Sequence, residues 1–141
     1  MSTELELIGV GCTRYVYADG DYVLKVPYND CGKIQSENER RLYSNAAFKP
    51  YLAEVADYDH DTGTIRQERL RNCCIMRRKS DLIQSYFPEE LLSIISGPFL
   101  QVGYDSNKSL KIFDYGLELT DKSILTEEQL DLVRAYRLPL K

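Results

Sequence analysis

The segment SLKIFDYG, from Ser109 to Gly116, holds the residue with the clearest capacity for chemistry. Its hydrophobic residues predict a strand that leads directly into a turn formed by Tyr115 and Gly116, with Asp114 between the two. The segment therefore predicts a site centred on the carboxylate of Asp114.

Two glycines near the N-terminus are suited to phosphate binding. Gly9 and Gly11 lie in IGVGCTRYVY, between two predicted strands of a hairpin. Backbone amides at such a turn can approach a phosphate closely only where side chains are absent. A G-x-G pair is weak evidence on its own, so the prediction depends on its setting in the hairpin.

Lys25 in YVLKV and Glu39 in NERRLY are the next candidates, one on a predicted strand and one on the predicted helix that follows. Each also has an ordinary structural interpretation. Lys25 could be a solvated charge on an edge strand, and Glu39 could be part of a helix cap. Glu37 is a competing partner for Lys25, but on a helical wheel it points about 200° away from Glu39.

A sheet and a helix must position these residues. The turn residues Asp19-Gly20-Asp21 predict a hairpin between two strands, and a capping-box pattern of Ser36 and Glu39 predicts a helix from Ser36 to Phe48. The N-terminal half thus has the predicted order β-β-β-α-β-β. Its predicted strands are Glu4 to Val10, Arg14 to Ala18, Tyr22 to Pro27, Tyr51 to Tyr58 and Thr64 to Leu70.

The second half has fewer predicted elements. Pro88 opens a helix, EELLSIIS, which Gly97 and Pro98 end. A last hairpin joins Phe99 to Tyr104 with Ser109 to Phe113, and a final helix begins at Thr126. The basic residues around Cys73 and Cys74 predict a solvated surface, with a binding site as the alternative; they are Arg66, Arg69, Arg71, Arg77, Arg78 and Lys79.

Composition limits the class of protein. With 141 residues, 43% of them hydrophobic, the chain predicts a single globular domain. A net charge of -4 gives no reason to expect nucleic acid or an anionic membrane as a partner. No apolar run is long enough to span a membrane and the N-terminus has no signal-peptide pattern, so we expect a cytoplasmic protein. The spacing of the cysteines gives no zinc motif.

Together these motifs resemble those of protein kinases. Asp114-Tyr115-Gly116 is similar to the D-F-G motif, whose aspartate binds Mg²⁺, and Lys25 is similar to the V-A-I-K lysine, which contacts nucleotide phosphates. Glu39 lies where the resemblance expects the helix glutamate that pairs with this lysine. The first two glycines and the valine of the glycine-rich loop correspond to Gly9, Gly11 and Val16, whereas Arg14 replaces the third glycine.

The resemblance implies an α+β fold in one kinase-like domain. Residues 1–70 would form an N-lobe-like antiparallel sheet with one packed helix. Residues 71–141 would form a truncated C-lobe of about two helices and a short hairpin. In this scheme Gln67 is the gatekeeper, and Glu68 begins the hinge that offers backbone groups to an adenine ring.

The catalytic loop departs from the family pattern H-R-D-x-x-x-x-N. By register from the last hairpin, Ser96 falls on the base aspartate and Gln101 on the metal-binding asparagine. Serine cannot accept a proton from a substrate hydroxyl as a carboxylate does, and glutamine is a poorer ligand for octahedral Mg²⁺. Asp105 or Asn107 could supply the missing group, although both residue types are expected in a hairpin turn.

Two functional hypotheses follow from different classes. The first is a catalytically degenerate kinase-like module, of the kind that phages or mobile elements could encode, which acts by binding another protein as a regulator, decoy or inhibitor. The second is a phosphotransferase or nucleotide-modifying enzyme that retains Lys25, Glu39 and Asp114; a nucleotide sensor without turnover is a variant of it. The resemblance implies ATP and Mg²⁺ as cofactors, and the lost catalytic residues predict that their binding is weak or absent. Chance resemblance on an unrelated α+β fold stays open.

Overall fold

The computed structural model describes residues 5–11, 13–95 and 98–115, which form an α+β fold. The strands are β1 Glu6–Val10, β2 Arg14–Asp19, β3 Tyr22–Pro27, β4 Val55–Tyr58, β5 Ile65–Glu68, β6 Arg71–Arg77, β7 Phe99–Tyr104 and β8 Leu110–Ile112. The helices are α1 Asp30–Tyr43, α2 Asp81–Tyr86 and α3 Glu89–Ile94, with a 3₁₀ helix at Lys49–Tyr51. One antiparallel sheet of five strands has the order β1-β2-β3-β5-β4, and a second of three strands has the order β6-β7-β8. The predicted α+β class is therefore confirmed.

The hairpin of β2 and β3 forms where the turn residues predict it. Gly20 has a φ of 61°, in the left-handed region that favours glycine, and Asp19 pairs with Tyr22 across the turn. From there the two strands stay in register as far as Arg14 and Pro27. The second predicted hairpin, of β7 and β8, also forms, with Tyr104 opposite Leu110.

The predicted start of α1 is wrong. The helix begins at Asp30, because the side chain of Asn29 accepts a hydrogen bond from the backbone N–H of Gly32 at 2.9 Å and caps the N-terminus. Ser36 therefore lies inside the helix on its buried face, and the helix ends at Tyr43. Glu39 is not a capping residue but a buried residue in the body of α1.

Three further elements differ from the prediction. The basic segment around Cys73 and Cys74 is β6, whose residues are mostly exposed, so it has no hydrophobic alternation to reveal a strand. Helix α2 was not predicted, and α3 ends earlier than the sequence suggests, at Ile94. Ser96, Gly97, Gly116 and the final helix predicted from Thr126 lie outside the described residues.

The hydrophobic core joins α1 and the 3₁₀ helix to α2, α3 and the three-stranded sheet. Its most buried members include Leu52, Ile83, Leu91, Val102 and Ile112. A parallel bridge between Leu52 and Ile112 fixes β8 against the chain that follows the 3₁₀ helix. The turn after β8 lies against α1, where the backbone N–H of Tyr115 donates to the carboxylate of Glu39. None of the helices in the described part of the chain is long and apolar enough to cross a membrane.

Candidate functional site

The five-stranded sheet presents three candidate residues, Val16, Lys25 and Gln67, on one face together with Val23. Val16 lies opposite Lys25 in the pairing of β2 with β3, and Val23 lies opposite Gln67 in the pairing of β3 with β5. Residues directly opposite each other, or two apart on one strand, point to the same side of a sheet. All four residues line a cleft of about 450 Å³.

The cleft includes most of the residues that the sequence singles out. Around it lie Gly11, Val16, Lys25, Gln67, Glu68, Gln101 and Asp114. Gly9 pairs with Val16 beside the cleft but does not line it, and Glu39 lies behind Lys25. Asp105 and Asn107 are not among the lining residues; the Asp105 carboxylate accepts hydrogen bonds from the backbone of Asn107 and Ser109 in the hairpin turn.

Lys25 and Glu39 form a buried ion pair. Lys25 Nζ lies 3.0 Å from Glu39 Oε2, and the two residues are 5% and 0% exposed. Helix α1 packs on β3, and the buried position of Glu39 in the helix directs its carboxylate towards the sheet. The competing residue Glu37 pairs instead with Arg40, one turn along the same helix.

Glu39 is ionised under nearly all conditions. Burial alone would raise the pKa of its carboxyl, but the charges of Arg14 and Lys25, together with the hydrogen bonds that they donate, lower the pKa to about 2. Glu39 Oε2 also accepts a hydrogen bond from the backbone N–H of Tyr115 at 3.1 Å. One carboxylate thus joins β2, β3 and the turn after β8.

Arg14 is the residue that sequence reasoning missed. Its guanidinium is 5% exposed and contacts Glu39 through Nη1 and Asp114 through Nη2, the latter at 3.1 Å. Burial lowers the pKa of Arg14, but Glu39 and Asp114 outweigh this and raise the pKa above its ordinary value. The only signal in the sequence was a charged side chain where a glycine-rich loop has its third glycine.

The close approach of α1 explains why Arg14 is buried. A Cβ on Gly32, in the first turn of α1, would overlap the carbonyl oxygen of Thr13 and lie 2.9 Å from Pro27 Cβ. Only glycine allows the helix to pack so closely on the start of β2. Arg14 Nη1 also lies 3.3 Å from Ser36 Oγ, so its side chain runs along the helix towards Glu39.

Both carboxylate oxygens of Asp114 have protein partners. Oδ1 accepts from Arg14 Nη2 at 3.1 Å, and Oδ2 accepts from Gln101 Nε2 at 3.1 Å. The backbone supports this arrangement, because Phe113 N–H donates to the carbonyl of Gln101 at 3.0 Å. Asp114 itself has a φ of 54°, which turns the chain sharply after β8.

Tyr115 anchors the turn beneath the cleft. Its side chain is buried, and its hydroxyl donates to the carbonyl of Ala53 at 2.9 Å. Burial raises the pKa of this hydroxyl well above its ordinary value, and the charge of Glu39 adds to the rise, whereas the neighbouring Gln67 opposes it. Gln67 is 1% exposed, yet its Nε2 has no hydrogen-bond partner of normal geometry among the described residues.

The residues at this site do not fit a bound Mg²⁺. Asp114 is held by a cation and an amide, and Glu39 accepts from Lys25, Arg14 and the Tyr115 N–H. Magnesium prefers several free oxygen ligands in octahedral geometry, and a neighbouring guanidinium repels it. Within the described ranges, no group of three or more His, Cys, Asp or Glu side chains could hold a metal ion.

At the position where the resemblance expects a metal ligand, the site has a carboxylate, that of Asp114, which is paired with Arg14 and accepts a hydrogen bond from Gln101. Comparison with known proteins adds no family to this picture: no protein-family model matches the chain, and no curated protein matches it significantly.

Proposed function

We propose that the chain is a catalytically degenerate protein-kinase-like module that acts by binding another protein. The observation that carries this proposal is the state of Asp114, whose two oxygens accept from Arg14 and Gln101. Phosphoryl transfer depends on metal ions that neutralise charge on the transferred group. Asp114 lies at the metal-binding position of the resemblance, but the positive charge of Arg14 already compensates its negative charge. This pairing argues against phosphoryl transfer.

The kinase-like part of the proposal is supported by topology and by the ion pair. Three strands before α1 and two after it form the antiparallel five-stranded sheet, and α1 packs on β3, which fits the sheet with one packed helix that the resemblance implies. Lys25 and Glu39 pair at 3.0 Å, and the turn that contains Asp114 and Tyr115 lies against the same carboxylate. The cleft is lined by several residues that the resemblance assigns to a nucleotide, namely Gly11, Val16, Lys25, Gln67 and Glu68.

Protein binding is supported by β1. Among the described residues β1 is an edge strand, so one row of its backbone N–H and C=O groups has no strand partner. Leu7 is 49% and Val10 64% exposed on this strand, which contains neither Lys nor Pro, the residues that commonly protect an edge. We place the partner here, as an extended segment that adds a strand to β1.

A phosphotransfer assay tests the first half of the proposal. We expect no transfer of labelled γ-phosphate from ATP to protein, small molecule or water by the wild-type chain. Transfer that Asp114→Asn abolishes would overturn the proposal in favour of the phosphotransferase alternative, which the intact pair of Lys25 and Glu39 favours.

Substitution on the edge strand tests the second half. After a partner has been co-purified from the native host, Leu7→Lys should abolish the interaction, because a lysine on an edge opposes strand addition. Ile75→Lys is the matched control, since Ile75 is 70% exposed on β6 in the other sheet. If Ile75→Lys also fails to bind the partner, or if Leu7→Lys still binds it, the partner does not bind at β1.

A further inference from the structure

Exposed apolar side chains concentrate around β1. Of the eleven large hydrophobic side chains that are exposed among the described residues, six lie on this strand or next to it: Leu5, Leu7, Ile8, Val10, Tyr15 and Tyr28. A contiguous exposed apolar surface commonly marks an interaction site. The surface around β1 therefore restricts the sequence of any segment that pairs with this strand.

The side chains of β1 divide between the two faces of the sheet. Leu7 lies opposite Tyr17 in the pairing of β1 with β2. Val10 lies opposite Tyr15, so these four side chains share the outer face, away from the cleft. Ile8 lines the cleft on the other face, because a bulge interrupts the pairing at this point. In a strand added to β1, every second side chain would extend the outer row of Leu7 and Val10.

The C-terminal end of β1 lies beside two tyrosines. The ring of Tyr15, which is opposite Val10, lies 4.7 Å from the ring of Tyr28, measured between centroids. Tyr28 is fixed by the loop after β1, because its backbone N–H donates to the Thr13 carbonyl at 3.0 Å and its hydroxyl donates to the Gly11 carbonyl. An apolar surface that is fixed before binding loses little conformational freedom when a partner binds. We expect an apolar or aromatic partner residue at this end.

The N-terminal end of β1 is acidic. Glu6 lies opposite Ala18, close to the turn between β2 and β3, where Asp21 is exposed. Neither carboxylate has an ion-pair partner among the described residues, whereas Asp19 of the same turn is paired with an arginine of β5. The next arginine along the chain, Arg69, lines the cleft. Charge complementarity therefore favours a basic partner residue at this end.

The two ends of β1 give an added strand a direction. All strand pairings in the two described sheets are antiparallel, and antiparallel pairs are slightly more stable per residue than parallel pairs. An antiparallel neighbour of β1 runs from the tyrosines towards Glu6. Its apolar residues therefore come first in its sequence and its basic residues come last.

We propose that the partner binds β1 as an antiparallel strand that begins with alternating apolar side chains beside Val10 and Tyr15 and ends with Lys or Arg beside Glu6. This inference rests on the proposed placement of the partner on β1, and it adds the sequence pattern and the direction of the partner segment. Main-chain hydrogen bonds would give affinity for any extended segment, whereas the tyrosines and Glu6 would select the sequence.

Fluorescence anisotropy with labelled synthetic peptides and the full chain tests the inference. The first peptide has about eight residues, in which Val and Ile alternate with Ser and Thr, and ends in two lysines. The second has the same composition with the lysines at its N-terminus, and the third has glutamates in place of the lysines. We expect the first to bind at least about fivefold more tightly than the second or the third at low salt. Equal affinity of the first two, or no binding of the first at about 1 mM, would overturn the inference.

Glu6→Gln tests the acidic end. It should weaken binding of the first peptide about threefold, and the preference over the glutamate peptide should disappear. Raising NaCl to about 0.5 M should also reduce this preference in the wild type, because the charges lie at the surface. Glu90→Gln is the matched control, since Glu90 is exposed on α3 and its substitution changes the net charge equally. A preference that survives in Glu6→Gln, or that Glu90→Gln also removes, would overturn the inference.

Val10→Ser tests the aromatic end. It should weaken binding of the first peptide at least about threefold, because an exposed apolar contact is lost. Ile75→Ser, on the exposed face of β6, is the matched control and should leave this affinity unchanged. Unchanged affinity in Val10→Ser, or an equal loss in Ile75→Ser, would overturn the inference.

The inference and the proposed function can fail separately. If Leu7→Lys loses the co-purified partner while the peptides show no preference for position or sign of charge, the inference falls and the proposed function stands. If Leu7→Lys retains the partner, both the placement on β1 and the inference fall.

Discussion

Glu39→Gln is the substitution with the largest expected effect on stability. The wild-type carboxylate is fully buried between Arg14 and Lys25, which lower its pKa from 4.5 to about 2. Each pKa unit corresponds to about 1.4 kcal/mol, so the ionised carboxylate contributes about 3 kcal/mol to the free energy of unfolding. Glutamine has a similar shape but no charge, and it leaves Lys25 buried without its counter-ion. We expect a loss of about 3 kcal/mol at pH 7.

The pH dependence identifies the cause of this loss. Because the pKa of Glu39 is lower in the folded than in the unfolded chain, its contribution is complete above pH 4.5 and disappears as the pH falls towards about 2. The difference in stability between wild type and Glu39→Gln should therefore shrink across this interval. Other carboxylates titrate in both proteins and largely cancel from the difference.

Urea denaturation at a series of pH values measures both quantities. Glu37→Gln is the matched control, because Glu37 lies on the same helix and pairs with Arg40 nearer the surface, and it should lose at most about 1 kcal/mol. A loss below about 1 kcal/mol in Glu39→Gln, or a difference from wild type that does not change with pH, would refute the assigned charge network.

Three further predictions concern packing and the turn after β8. Gly32→Ala should lower the free energy of unfolding by about 2 kcal/mol, because the new Cβ would overlap the Thr13 carbonyl, whereas Gly9→Ala, with its nearest contact at 3.7 Å, should change it little. Tyr115→Phe should lose about 1–2 kcal/mol with the hydrogen bond to the Ala53 carbonyl; an unchanged urea midpoint would exclude that bond. In a thiol-labelling experiment on the folded chain, Cys73 and Cys74 should react and the buried Cys31 should not; fast labelling of Cys31 would contradict the packing of α1.

Local sequence patterns predicted the two hairpins, because short turn sequences are enough to specify them. The hairpin of β2 and β3 depends on Gly20, and that of β7 and β8 depends on a short polar turn, so both could be identified. The start of α1 could not be identified from local patterns, because Asn29 and Ser36 are both good N-capping residues. The cap is Asn29, and the close packing of Gly32 on the start of β2 favours this choice. Strand β6 could not be predicted, because it contains arginines and most of its residues are exposed, so its sequence shows no hydrophobic alternation.

Most residues of the site could be predicted from the sequence, but most of the hydrogen bonds and ion pairs between them could not. The resemblance brings Lys25, Glu39 and Asp114 together at one site. The residue that links two of them, Glu39 and Asp114, is Arg14, and these partners follow it by 25 and 100 positions in the chain. Nothing local to Arg14 shows whether its side chain enters the cleft or points to solvent. Gln101 was identified as a poor metal ligand, whereas its hydrogen bond to Asp114 required the geometry of β7 and β8.

The state of Asp114 can be tested directly with Mn²⁺, a paramagnetic substitute for Mg²⁺. The backbone N–H of Tyr115 follows Asp114 and donates to Glu39, so its NMR signal would be broadened by any metal ion bound at the carboxylate. In the presence of ATP and Mn²⁺ we predict no selective broadening of this signal in the wild-type chain, and broadening in Arg14→Gly. Selective broadening in the wild type that Asp114→Asn removes would contradict the central claim that Arg14 and Gln101 hold this carboxylate in place of a metal.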